Sequence, residues 1–193
     1  MHGTHNVDKA IVMDRDWYTE YFEQDDLKKT ITHVHVSVKK NGENQGKDGA
    51  PPFNHWVIFF ETSPSHSVCF NMVSNDDESD ELRGIVFAST REYDFDRQAL
   101  HTLSFPMKGT PTVEDIANIV NKNGLHRFRF NTDGQGCRFW VCTFISHLEK
   151  EGLVESGCAD QTWADAAYYY IDPSGRELRK LTEGTFVTST ESV

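Results

Sequence analysis

No stretch of this sequence approaches the ~20 consecutive apolar residues needed to cross a bilayer, so a membrane-spanning helix is excluded. Cations are scarce: 19 Lys and Arg face 30 Asp and Glu, for a formal net charge of −11. Such a chain repels phosphate backbones and anionic lipid, which argues against nucleic acid or a membrane surface as partner. Cysteine is sparse as well. Cys69, Cys137, Cys142 and Cys158 form no C-x-x-C and no paired spacing, so a disulfide framework is not indicated and reduced thiols are expected. Met1-His2-Gly3-Thr4-His5 lacks the apolar h-region of a signal peptide, which gives the expectation of a cytoplasmic protein. The acidic run at 74–81 has no EF-hand spacing, and the His33-x-His35 pair, which could seed a zinc site, finds no third ligand by spacing. No metal and no cofactor is expected.

What is present is apolar bulk. Hydrophobic residues make up 37% of 193 residues, and 13 are Phe, enough for one real core in a single domain spanning 1–193. The ends at 1–10 and 188–193 read as flexible, and the Gly- and Lys-rich segment 39–52 as a mobile surface loop. Asp14 to Leu27 suggests a helix with Trp17, Tyr21 and Phe22 on one face. Period-two alternation marks Ile31 to Val38 as a strand. Asn54 to Glu61 and Ser67 to Val73 form a hairpin around the turn at 62–66; Gly84 to Ser89 and His101 to Met107 add further strands. Thr110-Pro111-Thr112 opens a helix that ends at Asn123-Gly124. Arg127 to Phe130 and Tyr168 to Ile171 are short strand candidates. The fold class expected is α+β: a mostly antiparallel sheet packed on a long helix, Cys137 to Lys150, that carries Cys at its N-terminus.

That helix start concentrates the chemistry. In Asp133-Gly134-Gln135-Gly136-Cys137-Arg138-Phe139-Trp140, two glycines bring the chain tightly to Cys137. A thiol there feels unpaired backbone N–H groups and the positive end of the helix dipole, and both favour the nucleophilic thiolate. The same N–H groups can bind a developing oxyanion. Trp140, Val141, Phe144, Ile145 and Leu148 follow at helical spacing and form a core stripe, so Cys137 sits at the mouth of the core. Cys142 reads as structural. Of nine histidines, His55 is the best base: it opens an apolar strand directly after a loop. His126 and His147 read as surface residues. Asn71 is the one amide inside the partner strand and must find a hydrogen-bond partner, for which His55 across the hairpin is the natural choice. His66 is the alternative, in a turn where solvent is its expected surrounding.

The order strand His, polar residue on the next strand, then a Gly-rich approach to Cys on a helix resembles the circularly permuted papain-like (NlpC/P60-type) superfamily, with its lecithin:retinol acyltransferase-like and PPPDE peptidase branches. His55-Trp56-Val57-Ile58-Phe59-Phe60 and Gly136-Cys137-Arg138-Phe139-Trp140 stand in the places of the family's motifs, with Gly136 where Asn is usual. The two motifs, HWVIF and GCRFW, are also similar to those of a family of fungal proteins sometimes found beside secondary-metabolite genes. The resemblance implies thiol chemistry on an amide, ester or thioester of a small-molecule or peptide acyl substrate. In it Cys137 attacks, His55 shuttles the proton and Asn71 orients His55, while Gln135, Gly136, Trp56 and Trp140 contact substrate. Water as acceptor makes a hydrolase, an amine or alcohol an acyltransferase. Two other classes stay open: a non-hydrolytic small-molecule-binding protein or cyclase with a pocket of Trp56, Phe59, Phe139 and Trp140, and a module recognising basic partners through its acidic surface.

Overall fold

A computed structural model describes residues 16–41, 52–75 and 80–188. The expected flexible ends, apart from residue 188, and positions 42–51 of the expected loop lie outside the described residues. Among the described residues the fold is α+β, with a mostly antiparallel six-stranded sheet and three α-helices.

The strands of the sheet are β1 (Trp17–Tyr21), β2 (His33–Lys39), β3 (His55–Ser63), β4 (His66–Ser74), β5 (Gly84–Arg91) and β6 (His101–Pro106). Their spatial order is β1-β5-β4-β3-β2-β6, and β1 alone pairs in parallel. The turn between β3 and β4 is confined to Pro64 and Ser65. Alternation sets the faces. Val34, Val36 and Val38, then Trp56, Ile58 and Phe60, then Val68, Phe70 and Met72 turn to one side and are fully buried in the main core. Val57, Phe59 and Cys69 turn to the other side, where Phe95 from the segment after β5 covers them.

On the main-core side lie α1 (Val113–Lys122), α2 (Cys137–Lys150) and α3 (Cys158–Ala166). Thr112 caps α1 with a full capping box: its hydroxyl accepts from Asp115 N–H, and the Asp115 carboxylate accepts from Thr112 N–H at 2.8 Å. The stripe Trp140, Val141, Phe144, Ile145 and Leu148 of α2 is buried against the sheet, where Phe144 meets Phe60 and Phe70. Arg138 and Cys142 are buried too, because α3 covers a second side of α2. Cys142 Sγ donates to Thr162 O, and Trp163 Nε1–H donates to Ser146 Oγ. Four short strands complete the described residues: β7 (Phe128–Arg129), β8 (Tyr168–Asp172) with β9 (Gly175–Leu178), and β10 (Thr185–Phe186), which pairs with β7.

The N-terminal expectation fails. Residues 17–21 form an edge strand rather than a helix, followed by a 3-10 turn at Gln24–Lys28. Trp17 alone anchors the strand: its ring packs edge-on to Phe70 and its Nε1–H donates to Asn121 Oδ1. Tyr18 and Tyr21 stay exposed and stack on Phe87, so the apolar side chains serve two surfaces that one helix face could not reach. His66 is likewise no solvated turn residue, since it opens β4 and its Nε2–H donates to the buried Asp26 carboxylate. His126 is buried rather than exposed, and His147 is half-buried.

Candidate active site

The approach to α2 is built by Asn131. Its side-chain oxygen accepts from Asp133 N–H at 3.1 Å and Gln135 N–H at 2.7 Å, and its own N–H donates to Gln135 O. This closes the Thr132–Gln135 turn and delivers the chain to Gly136 at φ +147°, a conformation that side-chain-bearing residues rarely adopt. The space forbids one as well. A Cβ on Gly136 would stand 2.9 Å from Phe128 Cζ, so the Asn usual in the resembling family cannot be accommodated. The first-turn N–H groups of α2, like those of any helix, have no intrahelical partner, and Gly136 offers them no side-chain cap.

Cys137 opens α2 and is almost fully buried, with its thiol donating toward Asn54 O at 3.7 Å. His55 opens β3, lines the same cavity as Cys137 and donates from Nε2–H to Asn71 Oδ1 at 2.7 Å. Because Nε2 carries the proton toward the amide, Nδ1 is the nitrogen left for the thiol. The structure thus joins Cys137, His55 and Asn71 in one row.

Electrostatics follow the row. Burial pushes the Cys137 thiol up, but the His55 hydrogen bond and charge, the Trp56 N–H and the Arg138 charge together hold it below its ordinary value. Burial likewise opposes a charged His55, yet the Cys137 sulfur and Asn71 raise it. Both directions favour a thiolate–imidazolium pair. The other thiols lack this help: burial raises Cys69 to about 11 and Cys142 to about 12.

A cavity of about 470 Å³ opens on the row, with Phe53, His55, Met72, Phe130, Gly134 and Cys137 in its walls. Of the expected substrate-contacting residues, Gln135 is half-buried in the Asn131 turn and Gly136 sits directly before the thiol. Trp56 and Trp140 are corrected to core residues: both are fully buried, and Trp140 Nε1–H is spent on Leu125 O. Nor do the four aromatics of the alternative pocket meet. Phe59 lies on the opposite sheet face, and Phe139 packs against Trp163 and Phe186. Alternation along a strand separates Trp56 and Phe59, which is the reason.

Four supporting residues escaped the sequence reading. Asn54 Nδ2–H donates to Tyr170 O and Asn54 Oδ1 accepts from Tyr170 N–H, which fixes the carbonyl that faces the thiol. Arg138, buried, donates to Ala166 O and Lys180 O, and among the described residues it has no carboxylate partner. Asn131 and Tyr170 complete the set. An amide between Phe53 and an apolar strand was the available signal for Asn54. Of the paired His33 and His35, His35 engages Ser104 through Nδ1 and Glu61 through Nε2, and His33 Nδ1 stands 3.5 Å from Glu61 Oε2.

The fold is thus α+β, with a buried thiol beside a half-buried imidazole that donates to a half-buried amide. The chain belongs to the DUF7770 family, a domain of unknown function, whose model matches residues 34–187 and so takes in His55, Asn71 and Cys137. No curated protein and no solved structure matches it. No helix among the described residues is long and apolar enough to cross a membrane.

Proposed function

We propose that this protein is a cysteine-dependent hydrolase or acyltransferase of the permuted papain-like kind. The observation that carries the reading is the row Cys137–His55–Asn71 at the uncapped start of α2, facing a cavity. In this reading the Cys137 thiolate attacks a carbonyl carbon, and the carbonyl oxygen takes the negative charge against the free N–H groups of the first helical turn. As the tetrahedral species collapses, the His55 Nδ1 proton passes to the leaving amine, alcohol or thiol, and a thioester remains on Cys137. The neutral imidazole then takes a proton from water, or from an acceptor amine or alcohol, which attacks the thioester and releases the acyl product and thiolate. Asn71 holds the proton on Nε2 and keeps Nδ1 free for both transfers.

Resemblance to fungal proteins encoded beside secondary-metabolite genes directs the substrate search toward small-molecule acyl compounds. The test is incubation with p-nitrophenyl acetate, followed by peptide mass spectrometry. Release of nitrophenolate with an acetyl group on Cys137, both lost in Cys137→Ala and His55→Ala, is the expected result. Acylation spread over several residues, or unchanged release in Cys137→Ala, overturns the reading.

A further inference from the structure

Two recesses meet at His55. One contains Cys137; the other, about 270 Å³, lies toward the outer sheet face and has Lys39, Lys40, His55, Asn71, Arg91 and Tyr93 in its walls. Asn41 and His55 line both. In a chain of net charge −11, this wall gathers three cations, and no carboxylate lines it among the described residues. Lys39 is paired, with Asp96 at 2.6 Å, whereas Lys40 is exposed. The Arg91 Nε–H is buried and has no hydrogen-bond partner. An unmet donor on a cationic group is costly, and an oxyanion in the recess would meet it. Val57, Phe59 and Cys69 make the floor apolar, which suits a short hydrocarbon spacer behind the charged head.

We infer that this recess binds an oxyanion group, carboxylate or phosphate, carried by the acyl substrate whose carbonyl reacts at Cys137. The inference rests on the thiol reading for the acyl half and on the recess alone for the anion half. A substrate that spans both recesses passes the His55 ring, with its reactive carbonyl on the Cys137 side and its anionic end against Arg91 and Lys40. The acyl group it transfers is then a half-ester or half-amide of a dicarboxylic acid, or a phosphorylated acyl compound.

The experiment compares p-nitrophenyl acetate with mono-p-nitrophenyl glutarate, which has the same leaving group and a carboxylate at the far end of its acyl chain. The full chain should favour the anionic ester by about tenfold, the worth of one charge-assisted hydrogen bond. Arg91→Gln and Lys40→Gln should each erase most of that preference and leave the acetate rate unchanged; Lys40 is exposed, so its variant keeps the test valid if Arg91→Gln does not fold. Equal rates on the two esters, or a preference that survives Lys40→Gln together with Arg91→Lys and Arg91→Gln, overturns the inference and leaves the thiol reading standing. If neither ester reacts, the thiol reading falls, and with it the acyl half. Titration with sodium glutarate and inorganic phosphate at matched ionic strength, followed by the Arg91 Nε–H NMR signal, then decides the anion half. Saturation by glutarate marks a carboxylate site and saturation by phosphate a phosphate site; no saturation by either overturns it.

Discussion

Asn54 and Tyr170, 116 residues apart, hold each other through both sides of one amide: Asn54 Nδ2–H donates to Tyr170 O at 2.9 Å, and Tyr170 N–H donates to Asn54 Oδ1 at 2.7 Å. The pair ties the start of β3, which carries His55, to β8, and it turns the Asn54 carbonyl toward the Cys137 thiol. Asn54→Ala removes both bonds and leaves two buried backbone groups unmet. A loss of about 2–3 kcal/mol in unfolding free energy by denaturant titration is expected, with slower Cys137 alkylation in the folded fraction.

Thiol reactivity should single out Cys137. Its thiol is held below the ordinary 9.0, so its iodoacetamide rate should rise with pH and level off below that value. His55→Ala removes the hydrogen bond and the positive charge but leaves the burial, and the midpoint should move up. Cys69 and Cys142, raised to about 11 and about 12, should stay unlabelled in the native protein throughout. Peptide mapping of the alkylated cysteines gives all four rates at once.

Asn71→Ala deprives His55 Nε2–H of its acceptor. The expected outcome is a lower turnover and an upward shift of the Cys137 alkylation midpoint, at a stability cost of about 1 kcal/mol for a half-buried amide. Asn71→Asp keeps an acceptor and should retain the low midpoint. A variant that loses stability yet keeps the wild-type pH profile makes Asn71 a structural amide.

Asp26 is fully buried and accepts from Thr90 at 2.6 Å, Lys29 at 2.7 Å and His66 at 3.1 Å. Burial pushes its carboxyl up, but these three donors together bring it below the ordinary 3.8. A carboxyl depressed on folding contributes its full stability above the unfolded value and loses it as pH falls through the folded one. Acid titration of unfolding should therefore show a loss below pH 3.8 that is absent in Asp26→Asn. That variant should be about 2–3 kcal/mol less stable at neutral pH.

Trp140→Ala distinguishes a core indole from a substrate contact. A fully buried Trp should cost about 3–5 kcal/mol in thermal or denaturant unfolding, and Trp140→Phe less. Neither change should alter KM in molecules that remain folded.

The central strands were legible because Ile31 to Val38 alternates β-branched with polar residues and Trp56 to Phe60 is an unbroken apolar run, and their ends moved by only one or two residues where pairing continues, as at Lys39↔His55. The cap of α1 was legible for a similar reason: Thr112 and Asp115 are local partners. Long-range order was not. Nothing in Cys158–Ala166 has the apolar stripe of a self-evident helix; α3 exists because α2 offers Glu149 Oε2 to Ala159 N–H and Ser146 Oγ to Trp163. The buried state of Arg138 depends on carbonyls of Ala166 and Lys180, far along the chain. For the site, the neighbours across the hairpin could be paired from alternation, whereas the Asn54–Tyr170 clasp could not.

The Phe128 ring lies between two glycines: a Cβ on Gly136 would come within 2.9 Å of its Cζ, and one on Gly184 within 2.2 Å. Three positions scattered over 56 residues therefore behave as one sterically linked unit, since 184 − 128 = 56. A saturation library of single substitutions should find 184 nearly intolerant of any side chain, since a Cβ there also meets the Arg129 carbonyl oxygen at 2.5 Å. Shrinking 128 to Leu or Ala removes the ring but not that oxygen, so it should open neither 184 nor 136, whose positive φ excludes side chains for a separate reason. The two glycines are thus held for different reasons, one by a ring and a backbone oxygen together and the other by backbone handedness.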